Sequence, residues 1–198
     1  MASLEFWYEF ASTYSYPAAM RIDDVAAEKG VEVIWRPFLL GPVFRAQGIT
    51  DSPFNLNPIK GRYMVRDLER VCADQGLPFK LPEPFPMNGL YAARLAMLGS
   101  SEGWTPDFSR GVYLAEFGDG ADIADPVTLK AILTGLNLDA DDCAAQIQEQ
   151  DLKDRLKAQT ERAQELGVFG APSFVVGDEL FWGNDRLEQA LDWARDEG

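Results

Sequence analysis

The spacing of hydrophobic residues changes twice near the start of the chain. Alternating, largely aromatic positions over 4–10 predict a buried strand, and β-branched positions over 31–35 predict a second strand. Between them, apolar residues recur at helical spacing up to Gly30, after a short segment that contains two serines. Because a serine hydroxyl can accept a hydrogen bond from the first amides of a helix, we expect a serine N-cap there. The strand–helix–strand order favours a parallel pair joined by a right-handed crossover.

The middle of the chain has a different pattern. Residues 39–61 are rich in Gly, Pro and Asn and predict a loop, after which helical periodicity dominates over 62–166. The predicted breaks between helices fall at 76–88, 103–104, 118–124 and 135–139. Thr105 and Asp125 each precede a proline, which is typical of a capped helix start.

Mixed structure returns after residue 166. Residues 167–172 predict a loop that ends in a proline, and two short strands are predicted over 173–176 and 179–182. An amphipathic pattern over 184–195 predicts a final helix. The element order is therefore β-α-β, a set of inserted helices, and β-β-α.

This order is the one that a thioredoxin fold with an insertion requires. The predicted fold class is α/β, a thioredoxin-like fold with a large all-helical insertion. We expect residues 1–60 and 167–198 to form the thioredoxin-like domain and residues 61–166 the insertion domain.

Composition and charge exclude several classes of function. No apolar run approaches the roughly 20 residues of a membrane helix, so no membrane partner is expected. The N-terminus lacks the basic and apolar regions of a secretory signal, and a cytoplasmic location is the expectation. A net charge of −14 argues against a nucleic-acid partner, since binding to a phosphate backbone needs a positive surface.

The chain contains no histidine and only two cysteines, without a CxxC motif. The absence of histidine excludes Ser-His-Asp and Cys-His catalysis and the commonest zinc sites, so no metal site is predicted. Cys72 shares the apolar side of a predicted helix with Leu68 and Val71, which predicts a buried structural thiol. A disulfide to Cys143 is not expected in the inferred compartment.

The first segment with candidate chemistry runs from Ser12 to Ser15, at the junction of the first strand and helix. The dipole and free amides of a helix start stabilise an anion there. A serine hydroxyl at this point could donate a hydrogen bond to a thiolate that a ligand brings in. An ordinary N-cap explains the same serine.

Two further segments lie in the C-terminal part. Ala171 and Pro172 precede a short strand, where proline suits a strand start because it lacks an amide hydrogen. Asn184 and Asp185 open the last helix, where both residue types are good capping residues. The same pair could instead bind the ammonium and carboxylate groups of a ligand. Each segment alone has a structural explanation. The occurrence of all three segments in this order along the chain is what points to a function.

The combination resembles the kappa-class glutathione transferases and their bacterial relatives, the 2-hydroxychromene-2-carboxylate isomerases, within the DsbA-like superfamily. The resemblance runs over nearly the whole chain. The segments that carry it are 6–16, 60–68, 167–172 and 183–186. Serine stands at both positions where redox relatives have cysteine, and Thr13 replaces a proline that is frequent in the family.

The resemblance implies a set of glutathione contacts. Ser12 would contact the sulfur, and the backbone of Ala171, before a cis Pro172, would pair with the cysteinyl unit. Lys60 would line the site, and the γ-glutamyl end would bind Asn184 and Asp185. The full set of implied glutathione-binding residues is Ser12, Thr13, Tyr14, Lys60, Ala171, Pro172, Asn184 and Asp185, with Asn55 or Asn57 in the preceding loop.

The function that the resemblance implies is a glutathione-dependent isomerase of the 2-hydroxychromene-2-carboxylate type. It would act on an aromatic-catabolism intermediate through reversible thiolate addition, with Ser12 as the catalytic residue, glutathione as the cofactor and a homodimer as the assembly. A kappa-class-like transferase, in which the same thiolate attacks a small electrophile, is an alternative. A non-catalytic, DsbA-like peptide-binding protein is another.

Overall fold

The computed structural model describes residues 2–49 and 56–197, and its centre is a four-stranded mixed sheet. The strand order is β2-β1-β3-β4, with β1 parallel to β2 and antiparallel to β3, and β3 antiparallel to β4. The strands are β1 (Ser3–Tyr8), β2 (Glu32–Pro37), β3 (Ser173–Val176) and β4 (Glu179–Trp182). This arrangement confirms the predicted α/β class and thioredoxin-like fold.

Helices surround the sheet and fill the stretch between β2 and β3. The α-helices of the described residues are α1 (Ser15–Lys29), α2 (Leu40–Ala46), α3 (Pro58–Asp74), α4 (Leu90–Gly99), α5 (Thr105–Tyr113), α6 (Pro126–Gly135), α7 (Ala140–Gln146), α8 (Gln150–Glu165) and α9 (Leu187–Glu197). A π-helical segment, Leu114–Asp119, continues α5, and a 3-10 turn, Asn184–Arg186, precedes α9. None of the helices described in 2–49 and 56–197 combines the length and apolarity needed to cross a membrane.

The predicted loop over 39–61 is wrong in part. It contains all of α2 and the start of α3. In both helices a proline lies in the first turn, where its missing amide has no intrahelical partner to lose. The prolines that predicted a loop here are thus part of two helix starts. Residues 50–55 of this stretch lie outside the described residues.

Two of the expected helix caps are wrong and one is confirmed. Tyr14 is the N-cap residue of α1 and makes no side-chain capping bond, so no serine caps this helix. Thr105 is the first residue of α5, and its hydroxyl donates to Ala96 O at 2.7 Å. Asp125 caps α6 as expected, because its carboxylate accepts from Val127 N at 2.9 Å.

The alternation along β1 divides the core between the two faces of the sheet. Phe6 and its neighbour Phe174 stack at 5.6 Å on the face covered by α1 and α9. Trp7 points to the other face and packs with Phe38 and Val175, beside α2 and α8. The carboxyl end of β1 thus emerges between two packed layers, where the loop to α1 begins.

Two carboxyl groups lie buried close to this point. Burial raises the pKa of Glu9 to about 8, although a hydrogen bond from the Ala11 amide lowers it. Burial and the nearby Glu9 and Asp122 carboxylates raise the pKa of Glu116, and neither oxygen of Glu116 has a hydrogen-bond partner among the described residues. Glu116 lies in the π-helical segment, which brings an acidic side chain into the core.

Candidate functional site

The structure brings the first two candidate segments into direct contact. The Ser12 hydroxyl donates a hydrogen bond to Ala171 O at 2.8 Å, across 159 residues of sequence. Both residues are partly exposed. The bond between Ala171 and Pro172 is cis, as the resemblance implies. Since Tyr14 is the N-cap residue of α1 and no side chain of the described residues caps that helix, the interpretation of Ser12 as a simple helix cap is wrong.

Backbone hydrogen bonds hold Ser12 in place. Its amide donates to Glu9 O at 3.0 Å, and Ser15 N donates to Ser12 O at 3.0 Å. Glu9 O also accepts from the Tyr113 hydroxyl at 2.9 Å, which ties the loop to α5. Thr13, in the same turn, is only 2% exposed, so its side chain faces the protein interior.

The third segment lies beside the proline. Gly183 N donates to Pro172 O at 3.0 Å, which fixes the start of the Asn184–Arg186 turn next to the cis bond. Asn184 makes no capping bond, contrary to the simple capping interpretation. Its carbonyl and Oδ1 both accept from Arg21 Nη2, at 2.8 and 3.2 Å. Arg21 thus attaches the Asn184 turn to α1.

Asp185 and Tyr14 lie close enough to interact electrostatically. The Tyr14 hydroxyl donates to Asp67 Oδ2 on α3 at 2.7 Å. Burial, then the bond to Asp67, and then the charges of Asp67, Tyr63 and Asp185 raise the pKa of Tyr14. Tyr63 and Asp67 are site neighbours that sequence reasoning missed. Their spacing of four residues places them on one face of α3, but nothing in the sequence indicates which face.

Lys60 and Asn57 lie at the start of α3, and both are exposed. Asn57 Oδ1 accepts from Lys60 N at 3.0 Å and caps the helix, which gives Asn57 a structural role. Lys60 precedes Asp67 by seven residues, two helical turns, so both lie on the face of α3 that meets Tyr14. Its ammonium has no ion-pair partner among the described residues. Asn55 lies outside the described residues.

The chain's two thiols are not available for this chemistry. Cys72 and Cys143 are both buried and free, and burial raises the pKa of Cys72 to about 11. A buried thiol with a raised pKa is a poor nucleophile. The site therefore offers a hydroxyl, an exposed backbone edge, an amide and charged side chains, and it has no cysteine to serve as the nucleophile.

The sequence profile of the DSBA-like thioredoxin domain matches residues 3–193. The chain belongs to the DsbA-like thioredoxin family. The match begins with β1 and ends within α9, so the family fold accounts for almost the full length.

Relatives within the family are similar over nearly their whole lengths. The 2-hydroxychromene-2-carboxylate isomerase of Sphingobium xenophagum is 29% identical over 187 residues, which cover 94% of each chain. The kappa 2 glutathione S-transferase of Caenorhabditis elegans is 26% identical, over 96% of this chain and 90% of that protein. A selenomethionine structure of 2-hydroxychromene-2-carboxylate isomerase matches with a TM-score of 0.88 and 26% identity, over 98% of this chain and 95% of that one. These similarities confirm the resemblance seen in the sequence and identify the chain as an enzyme.

Proposed function

We propose that this enzyme is a glutathione-dependent isomerase of the 2-hydroxychromene-2-carboxylate type. The observation that carries the proposal is the 2.8 Å contact between the Ser12 hydroxyl and Ala171 O, beside the cis Pro172. It combines a hydrogen-bond donor at a helix start with an accessible backbone edge. The full-length similarity to the isomerase of Sphingobium xenophagum supports the same reaction type.

The groups around this contact fit the chemical features of glutathione. Ala171 is a partly exposed residue, and its backbone suits an extended peptide. Asn184 and the exposed carboxylate of Asp185 suit the carboxylate and ammonium of a γ-glutamyl group. Thr13 would contribute only its backbone, because its side chain is buried, and the hydroxyl of Tyr14 is engaged with Asp67.

Glutathione, when bound, would supply a thiol as the nucleophile for reversible addition to the conjugated system of the substrate. Ser12 has one hydroxyl proton, which goes to Ala171 O in this structure. Rotation about the Cα–Cβ bond would turn that donor toward a bound sulfur. A hydrogen bond to the charged form of a thiol lowers its pKa, and the positive end of α1 acts in the same direction.

Lys60 would act on the substrate rather than on the thiol. Its exposed ammonium is on the α3 face that meets Tyr14 and has no ion-pair partner among the described residues. It would neutralise the substrate carboxylate or the negative charge that develops on an enolate oxygen.

The test combines binding with turnover. Glutathione should raise the melting temperature in a saturable manner, because a ligand that binds only the folded state stabilises it. The purified enzyme should then convert 2-hydroxychromene-2-carboxylate with no net loss of glutathione. Conjugation of a halonitrobenzene without isomerisation would replace the proposal by a transferase. Peptide binding without any effect of glutathione would replace it by a peptide-binding protein.

The proposal extends to a cytoplasmic homodimer, on the strength of the family resemblance. Sedimentation equilibrium of the purified chain should give twice the monomer mass of 22.0 kDa. A monomer across micromolar concentrations would contradict the proposed assembly, while the reaction would remain testable on its own.

A further inference from the structure

Phe169 and Trp182 form an exposed aromatic pair beside the cis-proline. Their ring centroids are 5.0 Å apart and the rings are inclined by 55°. The exposed fractions are 43% for Phe169 and 52% for Trp182, large values for aromatic residues in close mutual contact. An exposed pair of large aromatic rings beside a candidate site suggests a surface that binds a ligand.

The pair adjoins the backbone segment that contacts Ser12. The indole of Trp182 lies across Gly170, where a Cβ would come within 2.6 Å of Nε1. Ala171, the next residue, accepts the Ser12 hydrogen bond. On the other side, Phe169 O accepts from Gln47 Nε2 at 3.3 Å, which anchors the loop to the end of α2. The rings therefore flank the backbone segment that meets Ser12.

Strand geometry turns Trp182 away from the main core. Its neighbour Phe181 packs against Trp193 of α9, with ring centroids 6.2 Å apart. Successive side chains of a strand point to opposite faces, so Trp182 faces the other side of the sheet, opposite Ser173 in the register. Trp193 is 42% exposed and lies on the α9 side, which makes it a matched control.

The indole N–H of Trp182 has no acceptor among the described residues. Three other tryptophans donate to carboxylates: Trp7 to Glu5, Trp35 to Asp23, and Trp104 to Glu102. Trp182 thus combines an exposed aromatic face with a spare donor. A planar ring that carries oxygen acceptors satisfies both features.

We propose that Phe169 and Trp182 bind the aromatic ring of the substrate, with the Trp182 N–H donating to one of its oxygens. The ligand class is a planar, conjugated aromatic carboxylate. This inference rests on the proposed function, because it names the surface that binds the second reactant beside the glutathione site.

The test compares Trp182→Ala, Trp182→Phe and Trp193→Ala. Trp182→Ala should raise the KM for the chromene carboxylate at least 10-fold and leave the Kd of glutathione within 2-fold. Trp182→Phe should fall between Trp182→Ala and the parent, because it keeps a ring and loses the N–H donor. Trp193→Ala should match the parent. Melting temperatures of the three variants identify any that fails to fold.

A second measurement tests binding at Phe169 and Trp182 independently of the proposed isomerase reaction. 2-Hydroxycinnamate, an aromatic carboxylate that need not turn over, should quench tryptophan fluorescence in the parent and in Trp193→Ala, and much less in Trp182→Phe. Quenching that depends on Trp182, without any chromene isomerisation, would sustain this site and refute the reaction. An unchanged KM in Trp182→Ala, with isomerisation intact, would refute this site alone. Loss of glutathione affinity, or dissociation of a dimer in Trp182→Ala, would also refute it and assign the pair to the cofactor site or to a subunit contact.

Discussion

At the scale of single residues, Ser12 has one hydroxyl proton and two candidate acceptors for it, Ala171 O and the sulfur of a bound thiolate. In the structure, the Ser12 hydroxyl donates this proton to Ala171 O, and the hydrogen bond joins the start of the first helix to the cis-proline loop. In the proposed reaction, the same proton stabilises a bound thiolate. On this proposal the hydroxyl has a structural role without ligand and an electrostatic role with it, and the two roles can be separated by experiment.

Replacing Ser12 with alanine should raise the pKa of the bound glutathione thiol by about one unit, roughly the free energy of one hydrogen bond. The ultraviolet absorbance of the thiolate, followed against pH, measures this pKa. Ser101→Ala is a matched control, since Ser101 Oγ also donates to a backbone carbonyl, Leu98 O at 2.9 Å. Identical titration curves for the parent and Ser12→Ala would remove Ser12 from the mechanism.

Tyr14 joins α1 to α3 through one hydrogen bond. Tyr14→Phe keeps the ring and leaves Asp67, a partly buried carboxylate, without this donor. We expect a loss of about 1–2 kcal/mol in the free energy of unfolding, measured in urea. Tyr91→Phe, at an exposed ring, is the control. Equal losses in the two variants would mean that the bond to Asp67 adds nothing to stability.

At the scale of secondary structure elements, α4 and α5 approach each other closely at Gly99. The last residue of α4 lies under the indole of Trp104, which packs edge-on against Phe108 of α5. A Cβ at Gly99 would lie 2.4 Å from Trp104 Cε3. Only glycine fits this position without displacing the ring.

Gly99→Ala should lower the free energy of unfolding by about 1–3 kcal/mol, because Trp104 must move. Gly135→Ala is the control: Gly135 also ends a helix, and a Cβ there would have no atom within 4 Å. It should be neutral or stabilising by up to about 1 kcal/mol. Thermal unfolding of both variants decides between close packing and a general cost of alanine at a helix end.

The sequence was sufficient for elements whose signals are local. The alternation over 4–10 predicted β1 as a buried strand, although the strand ends at Tyr8 because the chain turns there toward Ser12. Caps were less predictable. A capping rule considers only nearby amides, whereas the Ser12 hydroxyl and the Asn184 amide each find partners more than 150 residues away. The π-helical turn at Glu116 has no pattern that distinguishes it from an α-helix.

At the scale of the whole molecule, the buried acids make stability depend on pH. Glu9 and Glu116 are both buried and both interact electrostatically with Tyr113. Burial raises both pKa values, that of Glu9 to about 8. The folded protein therefore keeps protons that the unfolded chain releases above about pH 4.5. The stability that these two groups contribute is therefore fully present below about pH 4.5. It is lost as the pH rises through the pKa of the folded state, which is about 8 for Glu9.

Urea unfolding at a series of pH values should show this decrease as a loss of about 2–4 kcal/mol between pH 5 and pH 9. Glu116→Gln carries no ionisable group at this position and should lose less over the same range. Glu165→Gln, at an exposed position, should follow the parent. Superimposable curves for the parent and Glu116→Gln would show that Glu116 is not protonated in the folded state at neutral pH.

The two hydrogen bonds from Arg21 also determine which ligand groups Asn184 can recognise. Guanidinium nitrogens only donate, so the bond from Arg21 places a positive charge at the oxygen of the Asn184 side chain, while the two donors of its NH₂ group remain for a ligand. The guanidinium charge beside the oxygen disfavours a ligand ammonium there, and the NH₂ group can donate to a ligand carboxylate. Of the two charges on a zwitterionic amino-acid end group, the negative one would then settle at Asn184 and the positive one at Asp185, which leaves one direction in which such a peptide can lie.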